Sequence, residues 1–414
     1  MINFEKFELD NGLKIIVHQD KMSPMVAFNI LYKVGAKNEN PERTGFAHLF
    51  EHLMFEGSVN ISDYDTHMQA AGGDNNAFTN NDYTNYYLTI PKQNIETAFW
   101  LESDRMLQLD FSEEKLNIQK GVVIEEYNQR YLNRPYGDAM LLMRSLAYRK
   151  HPYKWPTIGK GTIDIEYASL QDVKDFFYHF YAPNNAILSI AGDVDINEIK
   201  ALANKWFGPI PRREIRKEPI PIEPEQEVSQ ILEFNCEHPE NALYIAYHMC
   251  GRLNDEYFTC DMISDILSLG DSSRFEQRLI KERQLFTYID AHISGSIDPG
   301  LFMIIGRLND NVTFKEAEAA IQEELDILCN EYIEDRELTK LKNKMEIQKL
   351  TSEIDIIERA MVLAYYEMLG DASKVNTDFK KYLAVTKEMI QKTAKQLFAP
   401  NNRSVIRYKK AQNN

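Results

Sequence analysis

The opening residues, "MINFEKFELDNGLKIIVHQD", alternate apolar and polar positions on either side of an Asn-Gly turn, the pattern of a β-hairpin. Similar strand-like alternation covers 4–10, 14–19, 25–33, 83–90 and 185–192. Between these runs the apolar positions fall at helical spacing, over 44–56, 62–71, 92–109, 112–132, 169–180 and 195–206. Ser62, Ser112, Ser169 and Asp195 stand where N-caps belong. The second half runs similarly and includes a long helical stretch from about 334 to 370. Sheets with helices packed on one face make this an α+β architecture.

The pattern recurs. "YAPNN" at 181–185 returns as "FAPNN" at 398–402, so that Pro183 and Pro400 stand 217 residues apart. "MVAFNILYKVG" and "NALYIAYHMCG" match with Ala27 and Ala242 separated by 215, and "YYLTIP" and "LFMIIG" give the same displacement through Leu88 and Met303. A near-constant displacement predicts two copies of one fold. Between them "FGPIPRREIRKEPIPIEPEQEVSQ" is rich in proline and charge, which suits a linker. The expected division is a first domain over 1–211, a linker over 212–227 and a second domain over 228–414.

Composition narrows the class. With 414 residues, 44% of them hydrophobic, the chain has material for more than one core. A net charge of -16 repels nucleic acid and anionic membranes and attracts cations or basic peptides. Cys236, Cys250, Cys260 and Cys329 have neither the spacing of a structural zinc site nor the density of a disulfide scaffold. Neither a signal peptide nor a run of eighteen apolar residues is visible, so the expectation is a cytoplasmic protein with reduced thiols, binding neither nucleic acid nor membrane.

One motif carries chemistry. "HLFEH" places His48 and His52 four residues apart around Glu51, inside "TGFAHLFEHLMFEGS". On a helix of about 3.6 residues per turn, positions four apart lie about 40° from one another, so both imidazoles project from one face. Two neutral nitrogens suit zinc, and a third protein ligand leaves one position open, as a catalytic site requires. Glu51 lies near enough to reach a water at that position. Phe46, Leu49, Phe50, Leu53, Met54 and Phe55 surround these polar groups, which would be costly to bury unpaired.

HxxEH is the inverted zinc-peptidase signature, and this segment resembles the active-site helix of the pitrilysin, insulysin and mitochondrial processing peptidase family. The resemblance covers nearly the whole chain and implies two homologous α/β-roll domains, each an antiparallel-rich sheet with helices on one face. It implies a third ligand on a later helix. "NIQKGVVIEEYNQRYLNRPYG" is similar to that helix, with Glu126 at the ligand position, 74 residues after His52, and Glu125 as its neighbouring competitor. Gln119, two turns earlier on the Glu126 face, stands where relatives carry a supporting acid or amide. "GGDNNAFTNNDYTNYYLTIP" is similar to the family's edge strand for substrate, which gives Asn76, Ala77, Phe78 and Thr79 that role through β-augmentation.

The second copy places Asp261, Ser264 and Asp265 opposite His48, Glu51 and His52 at an offset of 213, so it lacks the metal site. Relatives draw an Arg and a Tyr from such a degenerate half. Aligning "KERQL" puts Thr287 at the tyrosine position and Tyr288 one residue late, so either a loop absorbs the extra residue or the pair comes from another subunit. The resemblance thus implies a zinc endopeptidase or oligopeptidase with one Zn2+ per chain, cutting extended, unfolded peptides inside a closed dimer chamber. The dimer is a homodimer or a heterodimer with a metal-free homologous subunit. The alternatives are a specialised leader- or propeptide-processing protease subunit and a non-catalytic assembly subunit.

Overall fold

The structure, a computed structural model, describes residues 1–215 and 218–411. Arg216 and Lys217 of the expected linker, and 412–414 of the expected second domain, lie outside the described residues. The strands are β1 (Glu5–Glu8), β2 (Lys14–Gln19), β3 (Met25–Tyr32), β4 (Asp74–Thr79), β5 (Thr84–Pro91), β6 (Ala186–Gly192), β7 (Gln230–Cys236), β8 (Ala242–His248), β9 (Phe286–Ile293), β10 (Leu301–Leu308) and β11 (Arg403–Lys410). The first half carries helices α1 (Phe46–Leu53), α2 (Tyr64–Ala70), α3 (Ile95–Leu107), α4 (Glu113–Tyr127), α5 (Ala139–Ala147), α6 (Ile163–Glu166), α7 (Leu170–Phe180) and α8 (Ile196–Trp206). The second carries α9 (Glu256–Ser268), α10 (Phe314–Asn330), α11 (Asp335–Ser352), α12 (Ile356–Met368), α13 (Phe379–Ala384) and α14 (Lys387–Leu397).

Two compact units form, and each draws on both halves of the chain. The first comprises Met1–Tyr127, Trp155–Ile220 and Lys349–Thr377; the second comprises Asn128–Lys154, Pro221–Gln348 and Asp378–Asn414. The first unit's sheet has the order β1-β2-β6-β3-β5-β4. The second's is β7-β11-β8-β10-β9, the same arrangement without the leading strand. In both, one parallel pair (β2 with β6, β7 with β11) precedes antiparallel neighbours. The repeat seen in the sequence is thus a repeat of strand order and direction.

In the first unit Phe28 on β3 packs against Phe99 on α3, ring centroids 5.0 Å apart, and Phe50 on α1 stacks on Tyr181 at 5.1 Å. The opposite face of that sheet carries α12, whose Ala360, Leu363 and Ala364 pack against Ile16, Ala27, Leu31, Ile187 and Ala191. The second unit repeats this device. Its sheet packs on α9, α10 and α14 on one face, and Met143 and Ala147 of α5 meet Ala242, Tyr244, Met303 and Ile406 on the other. Each sheet therefore has one covering helix contributed by the other half of the chain. Burial on both faces explains why β3, β6 and β8 read as almost unbroken apolar runs.

Most helix starts are built as the sequence indicates. Ser169 and Asp172 form a capping box on α7, and Asp195 accepts from Asn197 and Glu198 on α8. Ser62 is not the cap of α2: the helix starts at Tyr64, and Asp63, extended at the position before it, accepts from Thr66 N at 3.0 Å. The stretch expected as one helix over 334–370 divides after Ser352, because Asp355 takes an extended conformation and caps α12 through Ile357 N at 2.8 Å. Among the described residues no helix is long and apolar enough to cross a membrane.

Candidate active site

The site lies in the first unit and starts from α1. This eight-residue helix begins at Gly45, at φ 90°, a conformation that favours glycine. A Cβ there would lie 2.6 Å from Ile158 O. Glycine has no side chain to satisfy the first helical N–H groups. Glu39 does so instead: Gly45 N donates to its Oε2 at 2.9 Å and Ala47 N to its Oε1 at 2.8 Å. Burial pushes the Glu39 carboxyl up to about 8. Just upstream, Thr44 N and Oγ1 both donate to Asp164 Oδ2, at 2.9 and 2.7 Å. Phe46, Leu49 and Phe50 are buried, which fixes the rotation of the helix and turns its histidines toward α4.

There they meet Glu126. His48 Nε2 and His52 Nε2 each lie 3.5 Å from Glu126 Oε2. One ligand atom from each of the three falls within 4.8 Å of the others, the one such group of His, Cys, Asp or Glu among the described residues. Glu125 points outward and is exposed. Tetrahedral zinc with bonds of roughly 2.0–2.2 Å places neighbouring ligand atoms about 3.4 Å apart, so the observed spacing fits that ion. Side-chain exposure rises from 8% at His48 through 20% at Glu126 to 25% at His52, so the group opens on one side.

Glu51, half buried, shares the helix turn with His52. Its carboxylate adds to the burial that holds the phenols of Tyr86 and Tyr181 up. Gln119 is buried on α4 and donates to Glu56 Oε1 at 2.6 Å, tying α4 to the segment four residues beyond His52. Beneath the C-terminal end of α1, Arg105 pairs with Glu102 through Nη2 and Oε1 at 2.6 Å. Its guanidinium lies 5.1, 4.7 and 4.5 Å from the ring centres of Phe55, Tyr64 and Tyr86. That buried, aromatic-lined pair is a rigid floor.

Asn76, Ala77, Phe78 and Thr79 all lie on β4, the last strand of the sheet on that side. Registers of Ala77 with Tyr86 and Thr79 with Thr84 turn Ala77 and Thr79 toward α1, where Thr79 Oγ1 lies 3.5 Å from Ala47 O. Asn76 and Phe78 turn to the other face. The outward amide of Ala77 donates to Asn76 Oδ1 at 2.8 Å, so the edge is capped by its own side chain.

In the second unit α9 carries Asp261, Ser264 and Asp265 where α1 carries its motif. Lys344, from α11, the counterpart of α4 in element order, lies 3.9 Å from Asp265 Oδ1. An ammonium thus sits beside the carboxylate where the first unit gathers three ligands. Burial raises Asp265 to about 6. Sequence reading missed Glu39 and Asp164. The signal available for them was the glycine at the N-cap, whose helix must find its cap elsewhere.

A family model described as insulinase (peptidase family M16) matches residues 14–161, and one described as peptidase M16 inactive domain matches residues 167–345. Zinc protease PqqE of Helicobacter pylori is 27% identical over 97% of this chain and 92% of its own length. The mitochondrial-processing peptidase subunit beta of Saccharomyces cerevisiae is 25% identical over 52% of this chain and 46% of its own. A solved protease structure from Helicobacter pylori superposes with a TM-score of 0.93 at 25% identity, covering 99% of this chain and 100% of that one. With both family models matched in order along one chain, and the two-unit fold shared, this protein belongs to the insulinase, or pitrilysin, family of peptidases, M16.

Proposed function

We propose that the chain is a zinc-dependent endopeptidase or oligopeptidase acting on extended, unfolded peptides. The observation that carries this reading is the meeting of His48, His52 and Glu126 with both Nε2–Oε2 separations at 3.5 Å. These three residues hold one Zn2+ per chain, and Glu51 is the general base. When bound, zinc supplies Lewis acidity, lowering the pKa of a water and polarising the scissile carbonyl. Glu51 takes the proton from the attacking water and passes it to the leaving amine nitrogen. The substrate backbone pairs with the open edge of β4 over Asn76–Thr79, and the Asn76 side chain swings away from Ala77 N to admit it. Main-chain pairing makes binding depend little on side-chain sequence.

Two chains enclose the site in a chamber that admits extended peptides and excludes folded proteins. The second is another copy or a metal-free homologous subunit. A second reading, a processing subunit that removes leader segments, is favoured by relatives named as beta subunits of mitochondrial-processing peptidase. A cleavage profile on a peptide library separates the two: broad cutting supports clearance, a narrow motif supports processing. The central test is Glu51→Gln. It keeps wild-type zinc content and lowers kcat/KM by about 10²- to 10⁴-fold. Cleavage at the wild-type rate overturns the assignment.

A further inference from the structure

Residues 35–39 reach two parts of the first unit at once. At one end Ala36 N donates to Asn80 O at 3.1 Å and Lys37 N donates to Asn81 O at 2.9 Å, which joins the segment to the turn between β4 and β5. The approach is close. A Cβ on Gly35 would lie 2.6 Å from the backbone of Asn80 and Asn81. At the other end Glu39, 6% exposed, fills the first turn of α1 through the amides of Gly45 and Ala47. Trp155 Nε1 donates to Ala36 O at 3.0 Å and steadies the middle of the segment.

The chemistry of that anchor is specific. Buried N–H groups left without an acceptor bear the full cost of their desolvation. Ala47, one of the two amides held, directly precedes His48, and its carbonyl faces Thr79 of β4. Any slip of Glu39 therefore moves the ligand helix against the strand edge.

We infer that Glu39 is a positioning residue: through the 35–39 segment it holds α1 in register with β4, and so fixes the separation between the ligand group and the peptide-pairing edge. This rests on the proposed reading of that group as a zinc site and of β4 as the substrate edge. Glu39 acts through backbone amides, so its removal alters the placement of the ligands and leaves their identity unchanged.

Two variants of the full chain test it. Glu39→Gln is isosteric but turns an NH2 group toward one of the two amides. Gly35→Ala pushes at the other end of the brace. Zinc affinity is read by competition with a chromophoric chelator, and kcat and KM are read at saturating zinc on a quenched fluorescent peptide. In Glu39→Gln zinc affinity falls about 10- to 100-fold, the usual effect of losing a group that orients ligands. Its kcat falls roughly 10-fold or more even with zinc saturating, while KM stays within about twofold, because the edge itself is intact. Gly35→Ala lowers kcat in the same way. Zinc affinity and kcat within twofold of wild type in both variants overturn the inference, even if melting temperature drops. Should Glu39→Gln not fold, Gly35→Ala decides on kcat. A wild-type chain that binds no zinc or cuts no peptide instead overturns the proposed function beneath it.

Discussion

His48 and His52 leave one face of α1, and the helix register of α4 gives them Glu126 rather than Glu125. Spacing alone made the first pair legible; Glu126 came from the resemblance of its segment to the family's ligand helix, which, with Gln119 on the same face, ranked it above Glu125. The glycine N-cap shows that α1 needs an outside acceptor but does not name Glu39 or Asp164, because the donors they satisfy are brought to them by folding, across 120 residues in the case of Asp164 and Thr44. The Glu39 carboxyl gives a signed prediction. Its folded value, about 8, lies above the ordinary 4.5, so the folded state binds the proton more tightly than the unfolded chain does. The stabilisation from that proton is full below about 4.5 and is lost as pH rises through 8. Wild-type melting temperature should therefore fall between pH 5 and about 8.5 by more than that of Glu39→Gln, measured by calorimetry. Parallel profiles for the two proteins contradict this.

Among the elements, α5 and α12 depart furthest from a linear reading. Each covers the sheet of the unit built mainly from the other half of the chain, a destination no periodicity encodes. Leu363 is fully buried on α12 against the first sheet. Leu363→Ala should cost about 2–5 kcal/mol in urea unfolding and speed amide exchange in β3 and β6. Faster exchange in β8 and β10 alone would contradict the placement of α12. The Ala27–Ala242 echo places both residues under a crossing helix. The Leu88–Met303 echo slips by three, an odd number: with Ala27 matched to Ala242, the counterpart of Leu88 is Gly306, so Leu88, paired with Phe28, is on the face of α3, whereas Met303 lies under α5. An odd slip reverses the face of a strand, which sequence similarity cannot see. The displaced Tyr288 has a local cause as well. Tyr288 stands opposite Arg307 and Phe286 opposite Leu308, so Thr287 is the extra residue of a β-bulge. The bulge gives Tyr288 the position that an unbulged strand would give residue 287.

At the scale of the whole molecule, only the first of the two similar units gathers a candidate ligand group among the described residues, and in the second Lys344 lies beside Asp265. The near-constant displacement between matching segments made the duplication legible, and the two strand orders bear it out. The proposed chamber predicts a particle of twice the 48.2 kDa chain mass by light scattering, or equal parts of this chain and a homologue when co-expressed. A monomer that cleaves peptides at full rate contradicts it. The claim beneath all of this is a single zinc ion in the first unit. Metal content by plasma mass spectrometry, on protein loaded with zinc and freed of excess, tests it most directly. One zinc per wild-type chain and essentially none in His48→Ala, His52→Ala or Glu126→Gln is the expected result; a wild-type chain without zinc, or variants that retain it in full, would overturn the zinc assignment.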